Sequence, residues 1–109
     1  MTHLPPHCTA DAPALDETAI RALLPKVPGW AVIDGKLQSS FTFRNYYETI
    51  AFVNAMAWVS HQQDHHPDLM VSYKLCAVSY VTHSAGGLSE NDFICAAKVS
   101  ALYVQRASA

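Results

Sequence analysis

The sequence predicts an α+β domain, a four-stranded antiparallel sheet with three helices packed on one face in the order α-β-β-α-β-β-α. Three observations carry that prediction. Asp34-Gly35 stands between two apolar-rich runs and marks a hairpin. A long apolar stretch opened by Asn45 reads as a helix, and a second pair of runs rich in Val, Tyr and Thr follows it. Elements of these kinds bury their apolar faces against one another in two layers. The 109 residues support one such domain with a modest core and are too few for two.

Residues 1–14 carry Pro5, Pro6 and Pro13 and little to bury, so a flexible tail is expected ahead of a single domain over residues 15–107. Asp16 can cap a short helix running to about Leu24, where Asp16 and Glu17 suit the positive end of the dipole. Leu15, Ile20, Leu23 and Leu24 give that helix one apolar face, and Pro25 and Pro28 stop it. Residues 30–33 and 36–43 read as strands, because Asp-Gly favours the primed turns whose twist matches paired strands. Residues 45–62 form the long helix, with Asn45 as N-cap and Glu48 in the reciprocal position. Its stripe of Ile50, Val53 and Ala57 is widened by Tyr46, Phe52, Ala55, Met56 and Val59. A helix apolar nearly all round is buried on more than one side, which here predicts another subunit as the second partner, in a homo-oligomer.

Residues 69–73 and 76–83 read as two strands about a weak Lys74-Leu75 turn, with a single bent strand as the alternative. In the second run, Cys76, Val78, Tyr80 and Thr82 share one face, while Ala77, Ser79, Val81 and His83 share the other. Residues 84–87 form a loop without the lysine of a phosphate cradle. Ser89-x-x-Asp92 then opens the last helix as a capping box, and Phe93, Ile94, Ala97, Ala101 and Val104 are its stripe.

Half of the residues are hydrophobic and 15% are charged, a globular composition. Net charge is −2 without a basic block, so neither nucleic acid nor an anionic membrane is an expected partner. No apolar run approaches the roughly 20 residues that span a bilayer. The N-terminus lacks a basic-then-apolar signal pattern, and three widely spaced cysteines form no paired framework. A reduced, cytoplasmic protein is expected.

Chemistry concentrates in His61-Gln62-Gln63-Asp64-His65-His66-Pro67, which holds three of the six histidines. Pro67 disfavours helical geometry at His66, so His61 and His65 are expected as i,i+4 neighbours on the last helical turn. The cluster admits three readings. As a metal site, His61 and His65 have the spacing of a helical zinc pair, and His83 would complete three ligands. Against that, Gln62 stands where a His-Glu-x-x-His motif has its glutamate, and no cysteine is near. As a packed helix end, the dipole favours cationic groups, which accounts for one histidine and not for three. As proton-transfer machinery, two imidazoles flanking a small substrate serve as general acid and base, each worth about 10²–10⁴-fold. Neither Ser60 nor Ser84 sits in a Gly-x-Ser-x-Gly elbow, so no covalent nucleophile is indicated.

At these positions the sequence resembles the pterin-4a-carbinolamine dehydratases. The family pattern is an acidic, basic or His residue, three others, His-His-Pro, an aromatic, a third histidine and an Asp. It is matched at family spacing by His61, His65-His66-Pro67, Tyr73, His83 and Asp92. The stretch from Thr82 to Asp92 matches the second family signature, and weaker agreement reaches Pro28-Gly29-Trp30 and Phe41-x-Phe43. The resemblance covers roughly residues 15 to 105. It implies the same element order, and loss of water from 4a-hydroxytetrahydropterin to give quinonoid dihydropterin. That reaction belongs to tetrahydrobiopterin recycling and serves an aromatic amino acid hydroxylase. It implies His65 and His83 as the acid–base pair and His66 as a positioning residue that assists. Asp64, Val81, Thr82 and Ser84 are the further pterin contacts it implies.

No metal or organic cofactor is implied, because the pterin is the substrate. His61 stands where many members carry Glu, so a negative partner for the histidines would be Asp64 or none. His61, Asp92 and Trp30 are expected behind the substrate contacts, Asp92 having a sufficient job as a cap. Tyr73 and Trp30 can line the pocket, although aromatic residues are more often core. A non-enzymatic reading also stands. Some animal members bind a transcription factor's dimerisation helix, other relatives assist assembly, and the apolar helix 45–62 suits such a role. The intact motif favours the enzyme.

Overall fold

The computed structural model describes residues 3–106. Helices α1 (Glu17–Leu23), α2 (Tyr46–Gln63) and α3 (Glu90–Arg106) alternate with strands β1 (Ala31–Ile33), β2 (Lys36–Thr42), β3 (Asp68–Val71) and β4 (Leu75–Tyr80) in the expected order. The strands form one antiparallel sheet, β1-β2-β4-β3. Asp34 and Gly35 both have positive φ, 52° and 74°, as the primed turn between β1 and β2 requires. Between β3 and β4 the chain reverses fully, so the runs are two strands and not one bent strand; Ser72 N–H donates to the Leu75 carbonyl at 2.9 Å.

The register sets Leu37 opposite Tyr80, Ser39 opposite Val78 and Phe41 opposite Cys76. All but Ser39 are buried, and they meet Phe52 and Met56 of α2 and Phe93, Cys95, Ala96 and Val99 of α3 in one core. Trp30 fills the space between sheet and helices, its ring 5.9 Å from Phe41 and 6.0 Å from Tyr80. Its indole N–H donates to Ser100 Oγ at 2.7 Å, which satisfies the polar edge of a buried ring. The helix starts follow their caps. Asp16 Oδ1 accepts from Ala19 N–H, and Asn45 Oδ1 accepts from Glu48 N–H. Glu48 itself reaches back one residue further than the reciprocal box, to Arg44.

Two sequence expectations meet different geometry. β4 ends at Tyr80 and not at residue 83, because Thr82 pairs only with Gly87 and His83–Ala85 winds into a 3₁₀ turn closed by Gly86 at φ 74°. The segment expected as a tail carries specific contacts. Leu4 and Cys8 pack against the core, and Ala12 is buried. Thr9 and Asn91 exchange two hydrogen bonds, of 3.1 and 2.9 Å. Side chains of α2 and α3, Gln63 and Asn91, meet its backbone groups. Met1 and Thr2, like the expected domain end at residue 107, lie outside the described residues.

Candidate active site

The end of α2 decides where the histidines go. Asp64 adopts the left-handed conformation, with φ 51° and ψ 43°. Its N–H closes on the His61 carbonyl at 3.3 Å, and His65 N–H closes on the Ser60 carbonyl at 3.1 Å. This pair of bonds is a Schellman motif, which ends a helix and swings the next residue away from its axis. His61 and His65 therefore do not share a helical turn. The exposed His61 ring stacks on Trp58, 5.8 Å between centroids, and opens onto a cleft of about 550 Å³ with His7 and Lys98.

His65 turns the other way, into the domain. Its ring lies nearly parallel to Tyr80, 11° between planes and 5.7 Å between centroids. Its Nε2 lies 2.6 Å from Asp92 Oδ1, with the histidine side chain 13% and the aspartate 0% exposed. Asp92 Oδ2 accepts from Thr82 Oγ1 at 2.8 Å and from Ser89 N–H at 2.9 Å. Thr82 gives its one proton to Asp92, so Ser89 Oγ must donate to Thr82 across their 2.7 Å contact. Ser89 Oγ in turn accepts from Asn91 N–H at 3.2 Å.

A carboxylate so loaded accepts only, so His65 Nε2 carries a proton and the lone pair of the neutral ring sits on Nδ1. The carboxylate beside the histidines is thus Asp92, and Asp64 stays exposed. One side chain closes the capping box of α3 and fixes the tautomer of His65.

The other candidates surround this pair. His83 opens the 3₁₀ turn immediately after Thr82, so the hydrogen-bond chain from His65 passes one residue from the third histidine. His66, His83 and Ser84 are exposed, Val81 is half-buried and Thr82 is buried. Trp30 is buried in the core, its ring against Tyr80. Tyr73 is 61% exposed at the β3–β4 turn, where it stacks on Tyr46 at 6.3 Å. Among the described residues, no group of three or more His, Cys, Asp or Glu side chains is placed to hold a metal ion.

The described Pterin 4 alpha carbinolamine dehydratase family model matches residues 13–102. This chain belongs to that family. Its dehydratase relatives include a Nitrosomonas europaea protein named "Putative pterin-4-alpha-carbinolamine dehydratase", 55% identical over 88% of this chain and 86% of that protein. A protein of the same name from Stenotrophomonas maltophilia is 57% identical over 84% of this chain and 80% of its own length. A crystal structure described as a transcriptional coactivator/pterin dehydratase from Brucella melitensis superposes with a TM-score of 0.79. It is 28% identical and covers 83% of this chain and 98% of its own. A pterin dehydratase-like protein described as a RuBisCO assembly factor in the alpha-carboxysome shares the fold, with a TM-score of 0.57 and 24% identity over 68% of this chain and 86% of its own.

Membership places the chain among hydro-lyases, and the two sequence stretches on which the resemblance rests meet at the His65–Asp92 contact. Tyr80 is the residue that sequence reasoning misses. Period-2 geometry puts it on one face with Cys76, Val78 and Thr82, but nothing in the sequence says that a histidine 15 positions earlier will lie on its ring. Its hydroxyl is buried beside Ser60 without a hydrogen bond of ordinary geometry. Burial, reinforced by the neighbouring Cys95, pushes that phenol well above its ordinary 10.0, so the ring stays neutral under His65.

Proposed function

We propose that this protein removes water from a 4a-hydroxytetrahydropterin, with His65 and His83 dividing the two proton transfers. The N5 proton leaves to a base, the C4a hydroxyl leaves protonated as water, and the C4a–N5 bond becomes double. His65 suits the base. Its Nδ1 holds the lone pair while Nε2–H is tied to Asp92, whose charge faces the imidazolium formed on proton uptake. His83, exposed on the turn that follows Thr82, suits the acid that protonates the departing hydroxyl. His66 positions the pterin, with Asp64, Val81, Thr82 and Ser84 around it. The single observation that carries this reading is the 2.6 Å contact of His65 with the fully buried Asp92, within the family-matched residues.

The reaction needs no metal or organic cofactor in this reading. Its place is recycling of the pterin behind an aromatic amino acid hydroxylase in the cytoplasm, with the chain as a homodimer or homotetramer. The test is to add purified protein, without metal, to a hydroxylase assay that releases the carbinolamine. Faster decay of the carbinolamine is the expected result, lost in a folded variant carrying His65→Ala and His83→Ala. Full acceleration by that folded double variant overturns the assignment.

A second reading has its own support. Tyr47 and Trp58 of α2 are 81% and 61% exposed, and the Brucella melitensis relative is described as a coactivator as well as a dehydratase. In this reading α2 docks a partner protein. A stoichiometric partner recovered by wild type and lost with Trp58→Ala, without carbinolamine turnover, would put this reading first.

A further inference from the structure

The segment His7-Cys8-Thr9 precedes the family-matched residues and lies where the end of α2 meets the start of α3. Cys8 N–H donates to Gln63 Oε1 at 2.8 Å, and Gln63 Nε2 lies 3.2 Å from His7 Nδ1. On the other side Thr9 is held by its two hydrogen bonds to Asn91. Gln63 stands two residues before His65, and Asn91 is adjacent to Asp92. The segment therefore bridges the two chain regions that the His65–Asp92 contact also joins. Between those anchors, Cys8 Sγ lies 3.6 Å from Cys95 Sγ, and both thiols are free.

We propose that Cys8 and Cys95 are an oxidisable pair, closed by peroxide into an intramolecular disulfide that fastens the N-terminal segment across the ends of α2 and α3. The sulfurs must approach by about 1.5 Å to reach the bonded distance of roughly 2.05 Å. Cys8 can supply that movement, because it lies outside helix and strand, whereas Cys95 is fixed in α3. Cys8 is half-buried and Cys95 fully buried, so Cys8 is the sulfur that peroxide reaches.

The Cys8 thiolate attacks the peroxide O–O bond, giving a sulfenic acid and hydroxide. Cys95 then attacks that sulfur, its proton leaving with the displaced hydroxide as water. In sum, two thiols and one hydrogen peroxide give one disulfide and two waters. Burial pushes both thiols above their ordinary 9.0, so thiolate is scarce and the pair closes slowly, as a latch and not a fast sensor.

The closed loop spans 87 positions, and tying its ends restricts the unfolded chain. The oxidised protein is therefore expected to melt at least about 5 °C higher than the reduced one. The test is to treat the whole protein with a few equivalents of hydrogen peroxide, alkylate the remaining thiols, and map peptides. Expected are chains with no disulfide to another copy, Cys8 linked to Cys95, Cys76 alkylated, and a melting gain that dithiothreitol reverses. In Cys95→Ala the melting gain disappears and Cys8 advances to sulfinic acid. Three alkylated thiols in wild type, a Cys8–Cys8 dimer, or a linked pair with no melting gain would overturn the proposal. Any effect of the latch on turnover rests on the dehydratase reading; the peptide map and the melting shift do not.

Discussion

At the end of α2, Asp64 acts through its backbone. The left-handed turn there closes two helical carbonyls, while its carboxylate remains in solvent. At the start of α3, Asp92 acts through its side chain. It is fully buried and accepts from His65, Thr82 and the Ser89 N–H. Asp64 is the covalent neighbour of His65, yet the carboxylate that His65 meets comes from 27 positions away. A helix cap and a tautomer-fixing carboxylate are not rival explanations for Asp92, because its two oxygens serve both at once.

The largest effect that tests this contrast is expected from Asp92→Asn. An amide has one acceptor and one donor face, so it cannot accept from His65 and from Thr82 and Ser89 together. Turning its NH₂ toward His65 reverses the tautomer and moves the ring proton to Nδ1, where the proposed reaction needs a lone pair. Turning it the other way sets it against the Ser89 N–H. Expected is a fall in kcat of about 10²–10⁴-fold with KM changed little. A stability loss of about 1–3 kcal/mol accompanies it, from a buried donor left unmatched. Asp64→Asn should leave kcat within about twofold, since Asn tolerates the left-handed turn, and its effect as a pterin contact should fall on KM. Steady-state kinetics beside urea unfolding separates the two effects. Equal losses from both variants would remove the distinction between the caps.

How legible all this was in the chain depends on the range of each interaction. The hairpin at Asp34-Gly35, the Asn45 cap and the Ser89–Asp92 box are local bonds between residues at most three apart, and the sequence states them directly. The grouping of Cys76, Val78, Tyr80 and Thr82 on one face is also legible, because a strand repeats every two residues; that this face is the buried one depends on the packing. The left-handed turn at Asp64 is not. Helical spacing continued through it pairs His61 with His65, whereas the reversal sends one ring to Trp58 and the other to Tyr80. Similarly, proline-rich composition says tail, while the contacts of Cys8 and Thr9 depend on where α2 and α3 meet.

A smaller effect separates the caps by backbone geometry alone. Asp64→Ala forces a side chain with no local hydrogen-bonding group into φ 51° and should destabilise the fold by about 1–2 kcal/mol. Asp64→Gly should be neutral or slightly stabilising, because glycine enters that region freely. Urea midpoints compare them. If Ala and Gly behave alike, the turn is not held by its conformation, and the account of how His65 leaves the helix line fails.

The smallest effect is electrostatic. Burial is the main reason that the Cys8 thiol sits above its ordinary 9.0; Cys95 as hydrogen-bond partner and Lys98 oppose the shift, and the charge of Asp92 adds to it. A thiol raised on folding stabilises the fold fully below 9.0, and the contribution is lost as pH rises through the folded value. Neutralising Asp92 removes one cause and leaves burial, so Asp92→Asn should bring the Cys8 thiolate to lower pH than in the same background with Asp92 intact. Asp64, exposed and absent from the groups that act on Cys8, should leave that titration unmoved when changed to Asn. Thiolate absorbance followed against pH in a Cys76→Ala, Cys95→Ala background reads Cys8 alone. Neutralising Asp64 with an equal shift would mean that the field at the segment comes from the surface and not from the buried carboxylate.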